Sequence, residues 1–197
     1  MARLVRERSD IIPILGEVFR AHGYEGASLQ VIGAATGLGR GSLYNFFPGG
    51  KEEMAAAVLA DIDRWFRDEI FRPLEVAAAS AAPYLVRTAI HEMAAAAAGY
   101  FQGGRRICLV GAFALDGVRD RFAAAVAGYF RAWIEALGAA LVTFGLSPTV
   151  ARARAVAAVA DIQGALVLAR ALDDPGVFDM RLKAVVTALT AGWNGVG

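Results

Sequence analysis

The chain has 197 residues, 57% of them hydrophobic, and a formal net charge of +1. That length can bury a real core in one or two small domains, and near-neutrality excludes a general polyanion binder. Much of the apolar content is alanine, the best helix former, and alternating runs of β-branched residues are nearly absent, so the chain reads as all-α. The longest uninterrupted apolar runs, such as 136–146, hold about ten residues, fewer than the roughly eighteen that span a bilayer. No charged-then-apolar leader is visible, so a soluble, cytoplasmic protein is expected. A single cysteine, Cys108, excludes an internal disulfide and a cysteine-based zinc site.

In chain order, the first helix is expected over 9–21, capped by Ser9 or Asp10, with Ile11, Ile14, Leu15, Val18 and Phe19 as its buried stripe. Pro13 fits only a first turn, which predicts a late start or a kink there. Gly23 ends the helix. Ser28 then caps a short helix whose apolar face is Leu29, Ile32 and Val31. Gly33, Ala34 and Ala35 are small and permit close approach of a second helix. Gly37 sits where a left-handed C-cap is favoured, and Leu38 plugs the turn. Gly39 caps a second short helix over 40–45, in which Leu43 and Phe46 face inward. Arg40, Gly41, Ser42, Tyr44 and Asn45 point outward. Pro48, Gly49 and Gly50 stop the segment, and Lys51, Glu52 and Glu53 open a helix running to about Phe71, with Pro73 just beyond.

Further helices are expected over 80–101, 105–114, 119–144, 148–172 and 178–192, separated by turn signals such as Gly145 and Asp173-Asp174-Pro175-Gly176. The total is about nine: a three-helix head over 1–50 and a helical body over 51–197. Two short helices around a tight glycine turn are a helix-turn-helix, a device that presents its second helix to the DNA major groove. Residues 1–51 hold six Arg or Lys against four Asp or Glu, a sign suited to such a head.

The stretch resembles the DNA-binding head of the tetracycline-repressor (TetR-type) family. Leu43, Tyr44, Phe47, Pro48, Lys51 and Glu52 match that family's hydrophobic-Tyr-x-x-Phe-Pro, then Lys-Glu, pattern; Val18, Phe19, Gly23 and Tyr24 match the end of its first helix. The doubled glycine at 49–50 and the run Cys108-Leu109-Val110-Gly111-Ala112-Phe113-Ala114-Leu115 are similar to its multidrug-responsive, LmrA-like branch. The resemblance implies a transcription regulator, a repressor that binds a double-stranded DNA operator as a homodimer and is released by a small apolar effector. It also implies dimerisation through the last two helices, about 148–172 and 178–192. Ala151, Ala155, Ala158, Ile162, Ala165 and Ala169 on the first, with Leu182, Val185, Leu189 and Trp193 on the second, offer more apolar face than one antiparallel pair hides.

Arg40 opens the recognition helix and can grip guanine O6 and N7 or a phosphate; Asn45 can pair with adenine. Ser42 can touch base or backbone, and Tyr44 looks like the family's phosphate-contacting tyrosine. Ser28 and Lys51 sit at helix N-termini, where free N–H groups already attract phosphate. Gly39 departs from the family's usual Ser or Thr and removes a hydroxyl. Arg3, Arg6 and Arg8 form a basic arm that reaches DNA or stays solvated. By the same resemblance the body holds a ligand cavity, with Tyr84, His91, Met93, Tyr100, Phe101, Cys108, Phe113, Phe130, Trp133 and Gln163 as candidate lining residues.

Catalytic readings find no support. His22 and His91 are far apart, and His91 has no second histidine at helical spacing for a metal. There is no nucleophile elbow, Walker loop or dinucleotide fingerprint, because the glycines at 37–41 follow no strand. No cofactor and no metal are expected. A rival reading is a helical effector-binding or scaffolding protein whose head does not read DNA; Gly39, Pro13 and the modest basic charge leave room for it. A second rival is an activator or a ligand-independent regulator.

Overall fold

The computed structural model describes residues 7–191. Arg3, Arg6, Gly192 and Trp193 lie outside the described residues. Helices supply all regular structure among those described: Arg8–Gly26, Leu29–Thr36, Arg40–Phe46, Gly50–Phe66 continuing through the π-helical turn Arg67–Phe71 into Arg72–Ala79, then Pro83–Tyr100, Leu109–Leu115, Ala123–Thr143, Pro148–Ala171 and Pro175–Thr190. With the run from Gly50 counted once, these are nine helices among the described residues, besides a single 3-10 turn at Gln102–Gly104.

The chain forms two compact units. The first takes the described chain up to Arg64 together with Leu109–Val126; the second takes Trp65–Cys108 and the chain from Ala127 onward. The core of the first unit is set by the first helix. It starts one residue earlier than its sequence suggests, because Glu7 and Asp10 cap each other: the Glu7 N–H donates to Asp10 Oδ2 at 3.0 Å. Pro13 therefore sits inside the helix, on its exposed side, and neither delays nor breaks it. The break comes at Gly23, whose φ of 66° and ψ of 177° turn the backbone out of the helix. Ile11, Leu15, Val18 and Phe19 are buried as the stripe predicts, whereas Ile14 is only half-buried.

Several expected boundaries move. The helix expected from Ser80 begins at Pro83, and the last helix begins at Pro175, inside the turn expected at 173–176. The helix from Gly50 does not stop at Phe71: the wide turn Arg67–Phe71 leads into a further segment with Pro73 in its first turn, where no N–H donor is required. The helix expected from Arg105 begins only at Leu109, after a turn in which Gln102, Gly103 and Gly104 all have positive φ. The helix expected from Arg119 begins at Ala123; Asp116 Oδ1 instead accepts from the Val118 N–H at 3.1 Å and holds a turn there.

In the second unit, Ser147 caps Pro148–Ala171 by accepting from the Val150 N–H at 3.4 Å, and Asp174 caps the last helix by accepting from the Gly176 N–H at 2.9 Å. Ala151, Ala155, Ala158, Ile162, Ala165 and Ala169 are all buried within this unit, as are Leu182, Val185 and Leu189. The small-residue stripe is thus the packing face of the pair. The outer face of Pro148–Ala171 carries exposed Ala153, Val156, Ala160, Gly164 and Val167. Ala123–Thr143 is long and apolar enough to cross a membrane, but Tyr129, Trp133, Ala136, Leu137, Ala140 and Leu141 are buried in the protein and Arg131 and Glu135 are exposed, the pattern of a core helix.

Candidate nucleic-acid interface

The helix-turn-helix is built from local signals. Ser28 adopts extended backbone and its hydroxyl accepts from the Val31 N–H at 3.3 Å. Leu29–Thr36 buries Ile32 and Thr36, and the Thr36 hydroxyl donates to the Ile32 carbonyl at 2.7 Å, which removes the cost of a buried polar group. Gly37 ends the helix in the left-handed region, with φ of 68°, and its N–H closes on the Gly33 carbonyl at 2.9 Å. Leu38 is half-buried in the turn. Gly39 then caps the recognition helix Arg40–Phe46 in extended backbone, without a side chain to receive a free N–H.

Leu43 is wholly buried, as expected. The second inward residue is Phe47 and not Phe46: Phe47 is wholly buried and Phe46 only half-buried. The helix ends at Phe46; the backbone of Phe47 (φ −137°, ψ 79°) leaves the helix, and its ring is buried in the core. Opposite this packing face, Arg40, Gly41, Tyr44 and Asn45 are exposed and Ser42 is half-buried. The Arg40 guanidinium lies over the Tyr44 ring, 5.8 Å from its centroid. Of the side chains that the sequence assigns to DNA, Arg40, Tyr44 and Asn45 are thus accessible on the recognition helix.

Beyond the recognition helix, Gly50 makes the turn with φ of 66°, and a Cβ there would lie 3.6 Å from Tyr44 Cε1. Glu53 caps the next helix by accepting from the Gly49 N–H at 2.8 Å, and it also pairs with Arg8 at 2.9 Å. Arg8 stacks over the Phe47 ring at 4.7 Å, so it braces this turn and is not part of a solvated arm. Lys51 reaches backward: its Nζ donates to the Tyr24 carbonyl at 2.9 Å and lies 4.3 Å from the centroid of the Tyr24 ring.

Tyr24 is the node of the first unit, and sequence spacing does not reveal it. Its ring stacks on Phe19 and meets Phe113 and Phe122 edge-on. Its hydroxyl accepts from Arg121 Nη1 at 3.1 Å, and Arg121 also approaches Glu52 Oε2 at 3.7 Å. The bond to Tyr24, helped by Glu52 and Glu25, pushes the Arg121 guanidinium above the ordinary arginine range. These partners are far apart in the chain, so no local pattern links them.

The candidate effector residues do not converge as a set. Phe113 is buried in the first unit beside Phe19 and Tyr24. In the second unit, Tyr84 and His91 are exposed, while Met93, Phe101, Cys108 and Trp133 are buried. Phe66, which the sequence reading missed, is the hub there: its ring lies 4.9 Å from Tyr100, 6.0 Å from Phe101, 4.9 Å from Tyr129 and 5.4 Å from Trp133. Phe130 joins through Tyr129 at 5.0 Å. Trp133 Nε1 and Gln163 Nε2 are buried donors with no acceptor among the described residues. No cluster of three or more metal-binding side chains occurs among the described residues.

Comparison with known proteins agrees with this layout. Residues 16–58 match the family model "Bacterial regulatory proteins, tetR family", and residues 85–182 match "Transcriptional regulator LmrA/YxaF-like, C-terminal domain". The chain is 35% identical over 63 residues to the HTH-type transcriptional regulator LmrA of Bacillus subtilis, covering 32% of this chain. That match spans only 34%, about a third, of the relative's length. In fold, the chain is similar to TetR transcriptional regulators from Legionella pneumophila (TM-score 0.71, 21% identity, 95% of this chain and 98% of that one) and Chloroflexus aurantiacus (TM-score 0.73, 20% identity, 93% and 94%). One model takes the helix-turn-helix and another the helical segments that follow, and together they place the chain in the TetR family of bacterial transcription regulators, in its LmrA-like branch.

Proposed function

We propose that the chain is a ligand-responsive repressor that binds a near-palindromic operator as a homodimer. The observation that carries this reading is the division of 28–51 into a buried packing set, led by Ile32, Leu43 and Phe47, and an exposed contact set of Arg40, Tyr44 and Asn45, with Ser42 at its edge. Arg40 and Asn45 read base edges, Ser42 and Tyr44 touch base or phosphate, and the capped N-terminus at Ser28 holds a phosphate. Lys51 contributes its charge while it ties the first helix to the next. This functional head is residues 1–50; residues 51–197 bind effector and pair the subunits.

Dimerisation uses the outer faces of the last two helices, which is supported by exposed Val156, Val167, Leu168 and Met180 there. A twofold axis then places the two recognition helices about 34–36 Å apart, one turn of DNA. A small, largely apolar effector binds the aromatic interior of the second unit, and the unsatisfied donors of Trp133 and Gln163 support an occupant with an acceptor atom. The effector prefers a state whose heads no longer match the operator, so DNA and effector weaken each other reciprocally. Selection from random duplex DNA with the purified chain tests the reading. An enriched inverted repeat is expected; no enrichment contradicts it and favours the scaffolding alternative.

A further inference from the structure

Six glycines lie between Ser28 and Lys51, and five have a reason internal to the chain. A Cβ on Gly33 would sit 3.0 Å from the Leu38 carbonyl oxygen, and one on Gly49 would sit 3.1 Å from Glu53 Cβ. Gly37 and Gly50 have positive φ, and Gly39 occupies an N-cap, where glycine is tolerated. Gly41 has no such reason. It lies within the recognition helix, its φ is not positive, it is exposed, and a Cβ there would meet no atom within 4 Å.

Glycine is the least favourable helix residue after proline, and a seven-residue helix has little stability to spare. Gly41 also shares a face with Tyr44 and Asn45, three and four residues on, so it leaves bare backbone in the middle of the exposed contact set. Resting on the DNA-reading function above, we propose that Gly41 sets the depth of the recognition helix in the major groove. Its Cα packs directly against a base edge, such as a thymine methyl, with no side chain between them. Such a contact discriminates by shape and needs no hydrogen bond.

The test uses the full chain and the operator that the wild type selects. Gly41→Ala restores helix propensity, so Tm rises by a few degrees while operator affinity falls at least tenfold. Gly41→Leu falls a further tenfold or more. Both variants keep affinity for random duplex DNA within about twofold, because phosphate contacts carry that binding. Repeating the selection with Gly41→Ala changes the preferred base at one position per half-site. If wild type enriches a sequence and Gly41→Ala binds it equally well, the depth-setting role is wrong and the operator reading stands. If wild type enriches nothing, both are overturned.

Discussion

In the proposed operator complex, Arg40 is the side chain on which sequence discrimination turns, since it is exposed and lies over Tyr44. A bidentate contact to guanine discriminates by about 1–3 kcal/mol. Arg40→Ala therefore relaxes preference at one base pair per half-site by roughly tenfold or more, which competition with single-base operator variants measures. Lys51 behaves differently, because its ammonium is bonded to the Tyr24 carbonyl and packed on the Tyr24 ring. Lys51→Ala should lower Tm by several degrees and weaken all DNA sequences alike, with thermal unfolding and salt titration as the two readouts. An unchanged Tm would show that the bond to Tyr24 contributes nothing to the head.

At the scale of elements, the turn between the two short helices depends on Gly37. An alanine there keeps the space but not the conformation, since nothing lies within 4 Å and φ is 68°. A left-handed L-residue costs about 1–2 kcal/mol. Gly37→Ala is expected to lower the stability of the first unit by that amount in denaturant unfolding, with an unaltered slope. Caps and stops of this kind were legible in the sequence because they are local: Ser28, Gly37, Gly39 and Gly145 all act where the pattern places them. Helical spacing points to Phe46 as the second inward residue, but the helix ends there and Phe47 takes the buried position. The continuation of the helix past Phe71 is not legible, because a π-helical turn has no sequence pattern of its own. The stretch 105–108 has helix-compatible composition, yet the three positive φ angles before it break the run.

At the scale of the molecule, most of what escaped the sequence is long-range. Phe113 was grouped with the body on order along the chain, whereas it packs on the first helix, because Leu109–Val126 joins the first unit. Arg121 finds Tyr24 across 97 positions. The alanine stripe was recognised correctly as a helix face, but periodicity cannot say whether a face meets its own chain or another copy. Val167, 61% exposed on the outer face, carries the proposed pairing instead. Val167→Glu, a surface change in the single subunit, should convert dimer to monomer in sedimentation and reduce operator affinity by more than a hundredfold; a dimeric variant would move the interface elsewhere.

A twofold pair of recognition helices reading one turn apart fixes the half-site spacing, so the decisive measurement is the affinity of the purified chain for its selected inverted repeat as the half-sites are separated. Insertion of five base pairs rotates one half-site to the opposite side of the duplex. With such a pair, this insertion reduces binding to the level of random DNA. Equal affinity for the native and the five-base-pair spacings would contradict it.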